Sequence, residues 1–171
     1  FDDGYQNILL NAAPILKKYN FSATCYIVSE CVGSSNTWDI NEGITQRPLM
    51  TEAEVNLWLE LGMDIGGHTK THADLTIISK LEAKKEISDC KSQLEKIYNV
   101  KVTDFCYPFG RCNKSVCKIT KDSGYFTATS MQRGRVNTKS NRFMLPRIPV
   151  NHRTLPHLFL AKILTKYEDK K

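Results

Sequence analysis

His68 and His72 stand four residues apart, a spacing that predicts both imidazoles on one side of a helical turn, each offering a nitrogen to one divalent cation. A zinc ion held by nitrogen commonly takes a carboxylate as well, so a third ligand is expected from an Asp or Glu in another segment. Asp2 and Asp3 supply two candidates. Neighbours in an extended segment point to opposite sides, which divides them between two tasks. One binds the cation; the other addresses its water and accepts a proton as that water attacks. Each piece alone has an ordinary explanation, because paired histidines occur on solvated helix faces and Asp3-Gly4 is a common turn pair. Gly66-Gly67 ahead of His68 adds context, giving the backbone freedom to turn sharply where a strand ends.

These residues need a scaffold that brings distant segments together. Apolar residues at helical spacing (Ile8, Leu9, Ala12, Ile15, Leu16) predict a helix within 6–19, and the run 23–28 reads as a buried strand. Residues 29–50 lack a period and read as a long surface loop with Trp38 folded back. Thr51 with Glu54, and Ser79 with Glu82, are capping-box pairs that start two helices, the first stopped by Gly62 and the second running to about Tyr98. Strands are predicted at 63–65, 102–106, 125–129 and 145–150, and further helices at 113–123 and 154–167. Alternating strands and helices imply an α/β fold with a parallel sheet, open or curled into a barrel, whose sites lie at the carboxyl ends of strands. The polar clusters sit at such junctions: Asp2-Asp3-Gly4, Gly66-Gly67-His68, and Tyr107-Pro108-Phe109-Gly110.

Phe1-Asp2-Asp3-Gly4, Gly67-His68-Thr69-Lys70-Thr71-His72 and Phe105-Cys106-Tyr107-Pro108-Phe109-Gly110, in that order, resemble the motifs of the polysaccharide deacetylases of the NodB-homology carbohydrate esterases. The branch acting on poly-N-acetylglucosamine is the most similar, and Gly124-Tyr125 and Leu145-Pro146-Arg147-Ile148 resemble its later landmarks. The resemblance implies a distorted (β/α) barrel spanning 1–171 as one domain, lacking part of its first strand and any targeting segment. It implies Asp2 as general base, Asp3, His68 and His72 as ligands of a divalent metal, most often zinc, and the Phe109 backbone N–H as an oxyanion donor. The implied reaction is hydrolysis of N-acetyl groups on N-acetylglucosamine-containing polysaccharide or oligosaccharide, releasing acetate outside the cytoplasm or at the cell surface. Two alternatives share the fold: a carbohydrate-binding protein impaired in catalysis, and an O-acetyl esterase.

The sequence departs from the family at two catalytic positions. Cys106 stands where the family has an Arg that pairs with the catalytic carboxylate; Arg147 is the candidate substitute, or else a structural ion-pair residue. The family's late general-acid His is matched in letters by His157, which falls at a predicted helix start, so His152 is the better-placed candidate. Trp38 and Tyr107 are candidates for stacking on sugar rings.

The 171 residues suit a single core. Twenty-four Lys and Arg against eighteen Asp and Glu leave a net charge of +6, but the basic residues are scattered and form no nucleic-acid footprint. No apolar run approaches the ~20 residues of a membrane span. None of the six cysteines are spaced Cys-x-x-Cys, and they read as buried thiols.

Overall fold

The computed structural model describes residues 1–170. Five strands, β1 (Thr24–Ile27), β2 (Asp64–Gly67), β3 (Asp104–Cys106), β4 (Thr127–Arg133) and β5 (Leu145–Arg147), form one parallel sheet in chain order. The helices are α1 (Ala13–Lys18), α2 (Glu52–Glu60), α3 (Lys80–Tyr98), α4 (Lys114–Asp122) and α5 (Pro156–Leu164). Both capping boxes form, at Thr51–Glu54 and Ser79–Glu82. The Asn113 side chain caps α4 by accepting from the amides of Ser115 and Val116. α1 is shorter than the periodicity predicts, because it opens as a π-turn over Ile8–Ala12. Pro14 has no N–H for the carbonyl four residues back, and the turn ahead of it widens. The last strand stops at Arg147 rather than 150, where Pro149 can offer no ladder donor.

A strand order that follows chain order has no switch point, so the sheet winds one way, as in a barrel. Its two edges meet through the first residues of the chain. The Phe1 carbonyl accepts from Tyr26 on the free edge of β1, and Arg147, at the end of β5, reaches Asp2 at 2.7–2.8 Å. This is the distorted (β/α) barrel implied above.

The core lies between sheet and helices. Cys25, Ile27, Ile65, Phe105 and Ala128 from the strands are buried with Val55, Trp58, Ala83, Ile87, Leu94 and Val116 from the helices. Trp58 also donates its indole N–H to the Asp64 carbonyl at 2.8 Å, fixing α2 to the start of β2. Packing over β2 is tight. A Cβ on Gly66 would lie 2.8 Å from the Asp104 carbonyl oxygen and against the Tyr26 ring. Because Asp104 is held in β3 by the ladder to β4, Gly66→Ala is expected to destabilise the protein by about 1–3 kcal/mol, read as a lower urea midpoint with unchanged slope.

The segment between β1 and α2 is longer than a simple connection and folds over the rim. It holds two short 3₁₀ turns, Ser29–Cys31 and Thr37–Glu42. Met50 donates to the Gly4 carbonyl at 2.8 Å and Gln6 to that of Pro48 at 3.0 Å, so this segment is tied to the turn that carries the two aspartates.

Candidate active site

Asp2, Asp3, His68, His72 and Phe109 lie at the carboxyl-end rim of the sheet. Asp3, at φ 73°, and Gly4, at φ 84°, turn the chain sharply away just after the segment paired with β1. His68 follows β2 directly and donates its backbone N–H to the Ile27 carbonyl at 2.9 Å. The two aspartates face different partners, as their adjacency predicts. Asp3 Oδ1 lies 3.2 Å from His68 Nε2 and 3.4 Å from His72 Nε2. Asp2 gives both carboxylate oxygens to the Arg147 guanidinium, at 2.8 and 2.7 Å.

The histidines are not on a helix, which corrects the expectation drawn from their spacing. Residues 68–76 lie outside helices, and the two rings converge because Thr69 (φ 65°) and His72 (φ 63°) adopt left-handed backbone. Such conformations are uncommon for residues other than Gly and need external support. Support comes from Glu86 on α3, whose carboxylate accepts from the amides of Lys70 and Thr71 at 2.9 and 3.0 Å and from the Thr71 hydroxyl at 3.0 Å. Backbone bonds from Ser29 and Glu30 to the carbonyls of Thr69 and Lys70 complete the brace. Arg111 donates to Asp74 at 2.6 Å, joining the loop after β3 to the end of the histidine loop. Sequence reasoning missed Glu86, Asp74 and Arg111. A single carboxylate on a solvated helical stretch carries no local sign that it will meet two amides from another segment.

Asp3, His68 and His72 place one ligand atom each within 4.8 Å of one another. The donor set fits a cation. His68 Nδ1 lies 2.7 Å from the Cys106 carbonyl, which can only accept, so that nitrogen carries the proton. Burial would lower the His68 pKa, but its surroundings, the hydrogen bond to Asp3 among them, hold it well above the ordinary value, so Nε2 carries a proton as well and donates toward Asp3; a cation seated between the two would take that proton's place. A carbonyl bond on the far nitrogen is the usual outer support of a metal-ligating imidazole. Burial would raise the Asp3 pKa, but hydrogen bonds from His68 and His72 outweigh it and hold the carboxyl well below the usual carboxylate range. The same opposition acts on Asp2: burial raises it, while the Arg147 hydrogen bonds and the charge of His68 prevail and keep it ionised.

The other predicted site residues are placed as follows. Trp38 stacks on the His72 ring at 4.3 Å between centroids and 22° between planes, so one of its faces is spent on the imidazole rather than open to a sugar. Phe109, at φ 55° in the turn Pro108–Gly110, meets His72 edge-on at 4.7 Å. Tyr107 is 1% exposed and its hydroxyl donates to the Phe143 carbonyl at 2.8 Å. That corrects its assignment as a sugar platform: alternation along the strand turns it into the core. His152 is exposed in the turn after β5, makes no hydrogen bond or ion pair with Asp2, Asp3, His68 or His72, and is not joined to the site; His157 is exposed on the first turn of α5.

A family model described as polysaccharide deacetylase matches residues 1–128. The chain belongs to the polysaccharide deacetylase family. Among the relatives of this chain is a poly-β-1,6-N-acetyl-D-glucosamine N-deacetylase of Staphylococcus epidermidis, 29% identical over 160 residues that cover 89% of this chain and 53% of the relative. A Streptococcus pyogenes deacetylase solved in complex with acetate superposes with a TM-score of 0.82 at 25% identity, covering 95% of this chain and 68% of that one. A Bacillus cereus polysaccharide deacetylase gives 0.80 at 28%, covering 95% and 49%. The chain spans about half the length of the curated relatives it matches.

Trp38 fixes the plane of one imidazole in the Asp3–His68–His72 cluster, which could hold a metal ion. Trp38→Leu is therefore expected to weaken zinc binding about tenfold, the order found for outer supports of metal ligands, with the circular-dichroism spectrum unchanged. Competition against a chelating dye measures it.

Proposed function

We propose that the chain is a metal-dependent hydrolase that removes N-acetyl groups from N-acetylglucosamine-containing polysaccharide. The observation that carries this reading is the division of labour between adjacent aspartates: Asp3 directed to two histidines, Asp2 to an arginine, on one rim. Asp3, His68 and His72 would hold the divalent ion, zinc being the ion best suited to two imidazoles and a carboxylate. When bound, such an ion polarises the acetyl carbonyl and lowers the pKa of water.

The chain's own residues do the rest. Asp2, ionised and aimed by Arg147, accepts a proton from the water whose oxygen attacks the acetyl carbon. Arg147 supplies from β5 the orienting cation that Cys106 cannot, since a thiol offers no bidentate fork. The Phe109 N–H donates to the carbonyl oxygen as it gains charge, and the left-handed backbone there turns this amide out of the strand direction. As the carbon–nitrogen bond breaks, the proton taken up by Asp2 passes to the leaving nitrogen, giving acetate and an amino sugar. This reading assigns that transfer to Asp2 instead of His152, which has no bond into the site. The substrate class also places the work outside the cytoplasm or at the cell surface, where such polymers lie. No helix among the described residues is long and apolar enough to cross a membrane.

The test is incubation of the zinc-loaded chain with β-1,6-linked N-acetylglucosamine oligomers. The expected result is acetate with one new primary amine for each acetate released. Saturable oligosaccharide binding with no acetate would assign the chain to carbohydrate binding instead, and acetate released only from O-acetylated sugars would make it an esterase.

A further inference from the structure

The start of α4 carries chemistry that hydrolysis does not use. Asn113 is the N-cap of this helix, and Cys117 donates its amide to the Asn113 carbonyl at 2.9 Å. Cys112 therefore precedes the cap and Cys117 is the fourth helical residue. Those two positions form the hydrophobic staple of a helix start, where side chains pack against each other across the cap. Here both are thiols, and both are reduced. Cys117 is buried in the core and Cys112 is half-buried against it. The two cap-flanking positions set the thiols on the same side of the helix start, against one core cluster, and burial first, then the charge of neighbouring Cys117, holds the Cys112 thiol above its ordinary range.

We propose that Cys112 and Cys117 are a redox pair that closes to an intrachain disulfide by exchange with a small-molecule disulfide such as oxidised glutathione. The Cys112 thiolate, on the more exposed side, attacks a glutathione sulfur; the S–S bond of the reagent breaks and one glutathione leaves. The Cys117 thiolate then attacks the Cys112 sulfur of the mixed disulfide and displaces the second glutathione. Two protein thiols are oxidised, one glutathione disulfide is reduced, and the two protons end on the departing thiols.

The surroundings tolerate the product. Cys117 donates its S–H to the Phe143 carbonyl at 3.2 Å, a bond that oxidation removes, but that oxygen also accepts from Tyr107 at 2.8 Å and keeps a partner. The Asn113 cap uses only its own side chain and backbone amides and is untouched. The link would anchor the far end of the loop that carries Phe109 and Arg111 to α4. Of the other cysteines, Cys25, Cys90 and Cys106 are fully buried, and Cys31 is half-buried beside Glu30 and Glu86 with no cysteine influencing it. Cys31 thus serves as an internal control.

The full chain is held at about pH 8.5 in glutathione buffers of graded oxidation until the product ratio no longer changes with time, because burial of Cys112 slows its exchange, then alkylated and digested with trypsin. Cleavage after Arg111, Lys114 and Lys118 leaves Cys112–Lys114 and Ser115–Lys118 joined only through a disulfide. The expected species is this linked pair, two hydrogens lighter than its separate peptides, at oxidation ratios where Cys31 is still alkylated. In concentrated guanidinium, formation is expected to need a ratio at least about tenfold more oxidising, because the staple exists only at a folded helix start. Cys112→Ser should abolish the species and leave Cys117 protected from alkylation until the chain unfolds. Separate alkylated or glutathionylated peptides at every ratio, equally easy closure in denaturant, or linkage of either cysteine to Cys31 would each overturn the proposal.

Discussion

Asp2→Asn is expected to lower kcat/KM for acetate release by about 10²–10⁴-fold while leaving zinc stoichiometry and affinity unchanged. The substitution preserves shape and one acceptor for Arg147 but removes the group that takes the proton. Affinity is spared because Asp2 faces Arg147 and its neighbour Asp3 faces the histidines. Loss should also lie in kcat rather than KM, since proton transfer belongs to the transition state. Elemental analysis beside steady-state kinetics checks both halves: a variant that has lost its zinc would mean that Asp2, not Asp3, is the ligand, and a variant of full activity would remove Asp2 from the chemistry.

The second large effect is the converse. His72→Ala is expected to raise the zinc dissociation constant by well over about 100-fold, exceeding what loss of an outer support costs, and to abolish acetate release with it. Among the described residues His72 supplies one of the three clustered atoms that could hold the ion, so its removal leaves two. Titration calorimetry on the metal-free protein reads the affinity directly, and adding zinc far above the new dissociation constant should restore part of the activity. Retention of tight zinc binding by His72→Ala would show that the ion sits elsewhere.

Together the two variants separate roles that adjacent residues might be thought to share. Their contrast rests on Asp3 and Gly4, whose left-handed backbone turns the chain between one carboxylate and the next. It also rests on β5, whose Arg147 holds both oxygens of Asp2 on its own side of the rim.

Much of this architecture could be read from the order of residues. Thr51–Glu54 and Ser79–Glu82 set the starts of α2 and α3 to the residue, since a capping box closes within a single turn and needs no distant partner. Apolar runs located the strands, and strand–helix alternation implied a parallel sheet with its chemistry at the carboxyl ends, where Asp2, Asp3, His68, His72 and Phe109 are found. What tertiary structure decided is direction and company. The His68–His72 spacing suggested a helix, yet the rings meet through left-handed turns braced by Glu86, a residue from another element. Tyr107 and Trp38 both looked suited to sugars; the strand buries the first, and the long loop lays the second on His72. Arg147 pairs with Asp2 across 145 positions of chain, because the sheet curls until its last strand meets its first residues. Caps and periodicities are hydrogen bonds and burial settled over three or four residues, so they are written locally. Which way a carboxylate points is settled by whichever cation the fold carries to it, and that choice exists only once the sheet has closed.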